Sequence, residues 1–204
     1  MLPEPEELFV EFRITPLTCE LPTQQRLKAR FLSVWLQLPG PITNLLMKFW
    51  NCKIQLVMLP EDFYEGPAAA GLAGATLDGR AIGFRLDVLN LMHDAAFDFL
   101  IAHELAHCVC RANGQPTNVG DMSDGEYADY MSEGHENNPE EIQANEIATQ
   151  WGFSKKAYEV FCESNEDWLQ ERARLGRISL RSQAAEQETG SLPPKPLRSP
   201  QHRN

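Results

Sequence analysis

The sequence predicts an α+β domain, a small antiparallel-leaning sheet packed by a buried helix over residues 93–111 and by further helices. Three observations predict it. Short apolar runs at residues 7–14, 53–59 and 80–89 have the length and composition of strands. Apolar residues at helical spacing mark residues 24–38 and 93–111. The order of elements, with strands early and only helices late, separates helix from sheet instead of alternating them.

Each element has its own signal. Residues 7–14 place Leu8, Val10, Phe12 and Ile14 on one strand face. Residues 24–38 place Leu27, Phe31, Trp35 and Leu38 on one helical face, with Pro22 and Thr23 as start signals. Pro39-Gly40-Pro41 breaks the chain, and residues 42–50 form a short second helix. Residues 53–59 are a strand closed by Pro60. Residues 61–79 are rich in Gly, Ala and Pro; they read as a loop with a short strand within 72–76 and a turn at Leu77-Asp78-Gly79. Residues 80–89 complete the hairpin through Ile82, Phe84 and Leu86. Helix 93–111 carries Phe97, Leu100, Ile101, Leu105 and Ala106 and ends near Asn113-Gly114.

Residues 115–138 form a polar loop whose length suits a lid, a binding element or a disordered stretch. Residues 139–151 are a helix, with Pro139 first, acids in the opening turn and Gly152 as stop. Ser154 caps a helix to about residue 162, and Asn165 starts another to about 185. Residues 186–204 have no packing pattern and read as a disordered tail. The expectation is a single domain over residues 1–185, without internal repeats, whose chemistry-bearing core spans about 53–152.

The 204 residues are 43% hydrophobic and 23% charged, ordinary for a globular protein. No apolar run reaches the ~18 residues that span a bilayer, and the acidic, proline-containing start is unlike a secretory signal. A cytoplasmic protein is therefore expected. The five cysteines, Cys19, Cys52, Cys108, Cys110 and Cys162, are odd in number and lack the spacing of a disulfide framework. Cys108 and Cys110 lie two apart on one helix, point to different sides, and read as reduced thiols rather than ligands. The net charge of −11 is unevenly placed, with no Lys or Arg between Ala112 and Ser154. That acidic stretch argues against direct nucleic-acid binding.

The motif that carries chemistry is His103-Glu104-Leu105-Ala106-His107. Two imidazoles four apart lie on one side of a helix and reach one metal ion, while Glu104 is angled away from ligation and beside it. A carboxylate so placed takes a proton from a water that the metal has acidified. Catalytic zinc usually takes three protein ligands. Glu141, in the first turn of helix 139–151, is the favoured third; Glu140 and the loop groups Asp121, Asp124, Asp129 and His135 are the others. Asn145 shares the face of Glu141 and is placed to hydrogen-bond a ligand histidine. Ala144 leaves room for close helix approach.

HELAH, followed after a loop by Glu141-Ile142-Gln143-Ala144-Asn145-Glu146-Ile147-Ala148, resembles the zinc peptidases of the ImmA/IrrE type. Their pattern is H-E-x-x-H and then E-x-x-A-N-x-F-A, a minimal gluzincin arrangement. The resemblance covers about residues 53–152 and implies a zincin-like fold, one Zn²⁺ ion, His103, His107 and Glu141 as ligands, and Glu104 as base. It further implies cleavage of a regulatory protein such as a transcriptional repressor. Where the family often continues into L-L-M-P, this chain reads Thr149-Gln150-Trp151-Gly152-Phe153. No helix-turn-helix segment accompanies the motifs.

The partner expected is a protein or peptide substrate, laid along the edge of strand 80–89 by strand addition. Tyr127, Tyr130 and His135 are the loop candidates for stabilising an oxyanion. Two other readings stand beside this one. Asp124-Gly125-Glu126-Tyr127 resembles the D-x-x-Y of zincins with an aspartate as third ligand. The chain could also be a non-catalytic zinc-binding interaction module, although such a module has no need of Glu104.

Overall fold

Among the described residues of the computed structural model, the main elements in chain order are β1 (Phe9–Ile14), α1 (Leu21–Gln37), α2 (Gly40–Phe49), β2 (Ile54–Leu59), β3 (Ala73–Ala75), β4 (Ala81–Arg85), α3 (Asp94–Ala112), α4 (Pro139–Gln150) and α5 (Lys155–Ser164). The structure describes residues 9–14, 21–59, 73–76, 78–85, 90–115, 138–171, 174, 175 and 178, with backbone alone for 9–14 and 21. The expected polar loop and tail, the continuation of β4 through Leu86, and the side-chain face of β1 lie outside the described residues. Helix follows α5 again at residues 166–171.

The strands form one sheet in the order β1-β2-β4-β3. β1 and β2 pair parallel, β2 and β4 pair parallel, and β3 and β4 pair antiparallel. The α+β class holds, but the antiparallel lean is corrected to a mixed sheet in which parallel pairings are the majority. The reason lies in the connections. α1 and α2 lie between β1 and β2, and a helical crossover returns the chain to run in its original direction. β3 then reverses the direction, and the turn before β4 restores it.

That turn shows local chemistry at work. Gly79 sits at φ 65°, a left-handed conformation that glycine adopts without a Cβ penalty. The Thr76 hydroxyl accepts the N–H groups of Arg80 (3.1 Å) and Ala81 (3.0 Å) and donates to Asp78 Oδ1 at 2.6 Å. The Thr76 N–H donates to Ala81 O at 2.8 Å. These bonds tie the two ends of the turn together and help set the hairpin register.

α3 is the central element, packed against β3, α1, α2, α4 and α5. It is buried on nearly every side between Ala96 and Cys110. A helix with that pattern is a core helix, not an amphipathic surface one. Its start is capped by His93, whose side chain accepts the Ala96 N–H. Two arginines of α1 fix the same turn: Arg30 grips Asp98 with Nε (2.7 Å) and Nη2, and Arg26 Nη2 reaches Asp94 at 3.0 Å. Carboxylates are favoured at that helix end. On the neighbouring face of α1, Leu27, Phe31 and Val34 are fully buried, each worth ~1.5–3 kcal/mol of burial. Among the described residues, no helix is long and apolar enough to cross a membrane.

Candidate metal centre

α3 and α4 meet antiparallel along one seam. His103 faces Asn145 and Glu141, His107 faces Glu141, and Arg111 faces Glu140. Beside these residues Ala106 of α3 and Ala144 and Ala148 of α4 are fully buried, and side chains so small permit close approach of the helices. α4 begins where the sequence expects, with Asn138 accepting the Glu140 N–H at 2.7 Å and Pro139 in the first turn.

His103 Nε2 lies 3.0 Å from Glu141 Oε2, and His107 Nε2 lies 3.4 Å from Glu141 Oε1. The two Nε2 atoms are 3.1 Å apart. These separations approach the ~3.3 Å edge of a tetrahedron whose ligand bonds are ~2.0–2.1 Å long. His103, His107 and Glu141 thus form a group that could hold a metal ion, their ligand atoms all within 4.8 Å of one another. The donor set, two imidazole nitrogens and one carboxylate, suits zinc. The three side chains retain 11%, 12% and 24% of their exposure, so the cluster is recessed without being sealed.

Asn145 settles the tautomer of His103. Its Oδ1 lies 3.0 Å from His103 Nδ1. An amide oxygen only accepts, so Nδ1 carries a proton, and in the neutral imidazole Nε2 is the nitrogen that presents a lone pair to the cluster. Without a metal ion the groups also hold one another electrostatically. Burial alone would raise the Glu141 carboxyl, but hydrogen bonds and charge from both histidines outweigh it and hold it well below the carboxylate range. Burial alone would lower His103, yet Glu141 and Glu104 raise it.

Glu104 is one of the few buried charged residues among those described, at 5% exposure. Its Oε2 accepts the Ala75 N–H of β3 at 2.7 Å. Burial pushes its carboxyl up, against the opposing pull of His103 and His107. The base expected from the motif is therefore beside the imidazoles, outside the group that could ligate, and tied to the end strand of the sheet.

The structure sorts the remaining expectations. Glu140 lies outside the group that could hold a metal ion and pairs with Arg111 at 3.0 Å. Cys108 and Cys110 are buried and outside the metal-capable group, and burial raises both thiols. The edge expected of strand 80–89 is corrected: among the described strands β4 lies between β2 and β3, and β3 stands at the end of the order. All five β4 residues are buried, the mark of an interior strand that the continuous run Ala81-Ile82-Gly83-Phe84 already carried. Asp121, Asp124, Tyr127, Asp129, Tyr130 and His135 lie outside the described residues.

Three contributors went unnoticed in the sequence. Arg111 stands four residues after His107, so the ligand spacing itself pointed to it. Ala75 acts through its backbone and carries no side-chain signal. Tyr158 of α5 packs on Phe99 with ring centroids 5.5 Å apart, and burial raises its phenol, helped by Cys162, Glu104 and Glu141. Comparison of the chain with family models, curated proteins and solved structures returns no match.

Proposed function

We propose that the protein is a zinc-dependent endopeptidase of the ImmA/IrrE type that cuts a regulatory protein such as a transcriptional repressor. The observation that carries the reading is the convergence of His103 Nε2, His107 Nε2 and the Glu141 carboxylate from two helices, with Glu104 buried alongside. Zinc bound there would polarise a scissile carbonyl and bring the pKa of a water toward ~7. The chain's own groups do the rest. Asn145 holds the His103 ring in the tautomer that ligates. Glu104 receives the proton of the attacking water and returns it to the leaving amine. Burial raises its carboxyl and so favours taking up that proton. The Ala75 N–H keeps the carboxylate aimed while protons move.

Substrate is laid along β3 rather than β4. Thr76 bonds inward to β4 and the Ala75 N–H points outward to Glu104, so alternate peptide groups of β3 face away from the sheet. An extended peptide adding there would run past the base. The short side chains of Ala73-Gly74-Ala75 let it approach the backbone closely.

The test compares wild type with Glu104→Gln. The variant is expected to bind zinc as wild type does and to lose at least ~10²-fold in peptide hydrolysis. A comparison of cleaved protein termini in cells carrying either form identifies the substrate. Equal sets of cleaved termini in the two would overturn the endopeptidase reading and leave the metal site standing.

A further inference from the structure

α4 opens with two adjacent carboxylates, Glu140 and Glu141, at a seam where α3 offers both a pair of imidazoles and a guanidinium. The carboxylates are distributed without crossing: Glu141 meets the imidazoles, and Glu140 Oε2 meets Arg111 Nη2 at 3.0 Å. Neighbouring helical positions differ by ~100°, so each acid has its own direction but not a distant one. Arg111 stands one turn beyond His107, the imidazole that Glu141 Oε1 faces at 3.4 Å.

Arg111 is also held at its root. A Cβ on Gly79 would lie 3.1 Å from Arg111 Cβ and 3.2 Å from Phe49 Cε1, so the β3–β4 turn presses directly on the arginine stem. The Gly79 carbonyl is fixed in turn by Trp50 Nε1 at 2.7 Å. The turn thus closes one side of the stem, and the guanidinium lies at the first turn of α4. Both partners are largely buried, with side-chain exposures of 12% and 17%. An ion pair in such a place is strong and directional.

We propose that Glu140 is a positioning residue that engages the Arg111 guanidinium and so leaves the Glu141 carboxylate to the histidine pair and its metal ion. The proposal rests on reading His103, His107 and Glu141 as ligands. Without Glu140, the Arg111 Nη2 group that it holds would compete with the imidazoles for Glu141, its neighbour on α4, and draw it from them. Charge sorting of this kind predicts an unusual pattern. Removing the acid harms metal binding, and removing the arginine as well repairs it. An anchor that merely tied the two helices together would show no repair, because the double variant lacks the tie too.

Zinc affinity is measured by competition with a chromophoric chelator, on full-length protein stripped of metal. Glu140→Gln is expected to bind zinc about tenfold more weakly than wild type. Arg111→Gln/Glu140→Gln is expected to return to within about twofold. Unchanged affinity in Glu140→Gln, or a double variant as weak as the single, overturns the proposal. Should Glu140→Gln not fold, Glu140→Asp carries the charge on a shorter stem and is read the same way, with recovery on adding Arg111→Gln. Glu141→Gln is the control for the reading beneath. If it binds zinc as tightly as wild type, the ligand assignment fails, whatever the Glu140 variants do.

Discussion

Asn145 shows how much of a metal site can depend on one amide. Its oxygen, 3.0 Å from His103 Nδ1, selects the tautomer that leaves Nε2 unprotonated and holds the ring in place. Replacing it by alanine removes both effects without touching a ligand atom. Asn145→Ala is expected to weaken zinc binding by about tenfold, in line with other outer hydrogen bonds to ligand histidines. Chelator competition measures this, and an affinity equal to wild type would show that the amide orients nothing. At this scale the sequence was highly legible. His103, His107, Glu141 and Asn145 meet as helical spacing predicts, because a helix fixes side-chain direction residue by residue. Arg111 obeyed the same spacing and was legible in principle. The Ala75 N–H was not, since every residue but proline offers that donor and only the fold selects one.

At the scale of elements, the decisive surface is the seam between α3 and α4. Ala106 and Ala144, fully buried on these two helices, are small enough to permit the 3.0 and 3.4 Å approach of the Glu141 carboxylate to the imidazoles. Enlarging one of them separates the helices. Ala144→Leu is expected to cost ~1–3 kcal/mol in stability by overpacking. It should also lose zinc affinity beyond that of Asn145→Ala, because Glu141 moves with its helix. Denaturant unfolding and zinc titration of the same preparation check the two effects; a destabilised variant with wild-type affinity would show that helix spacing does not set the site. The helices themselves were legible to within a few residues, through Pro139, Ser154 and the apolar spacing of α1. The sheet was less so. Strand direction depends on what joins the strands, and the hairpin signal at Asp78-Gly79 spoke for one pairing of three. The edge was misplaced for a related reason. Burial on both faces distinguishes an interior strand, and periodicity alone does not report it.

For the whole molecule, the metal ion would be a cross-link between the central helix and a helix reached only after a long connection. Its removal should therefore be felt in global stability. A ligand that binds the folded form alone stabilises it by ~4 kcal/mol at a thousandfold excess over its Kd. For a chain of this size each kcal/mol moves Tm by ~2–4 °C, so zinc saturation is expected to raise Tm by about 10 °C over the chelated protein. The pH dependence has a definite sign. In the metal-free form His103 is raised by Glu141, so their mutual attraction stabilises the fold below the ordinary histidine value of 6.5 and is lost as pH rises through the folded-state pKa. Zinc binding requires the neutral imidazole and strengthens over the same interval. Both trends widen the gap, and the zinc-induced rise in Tm should grow steadily from pH 5.5 to pH 8. Magnesium should not substitute, because it prefers an all-oxygen shell to paired imidazoles. Differential scanning calorimetry of the chelated, zinc-loaded and magnesium-loaded protein at several pH values measures all three. A zinc shift that is absent, or that persists unchanged in Glu141→Gln, would mean that α3 and α4 are not joined through this cluster.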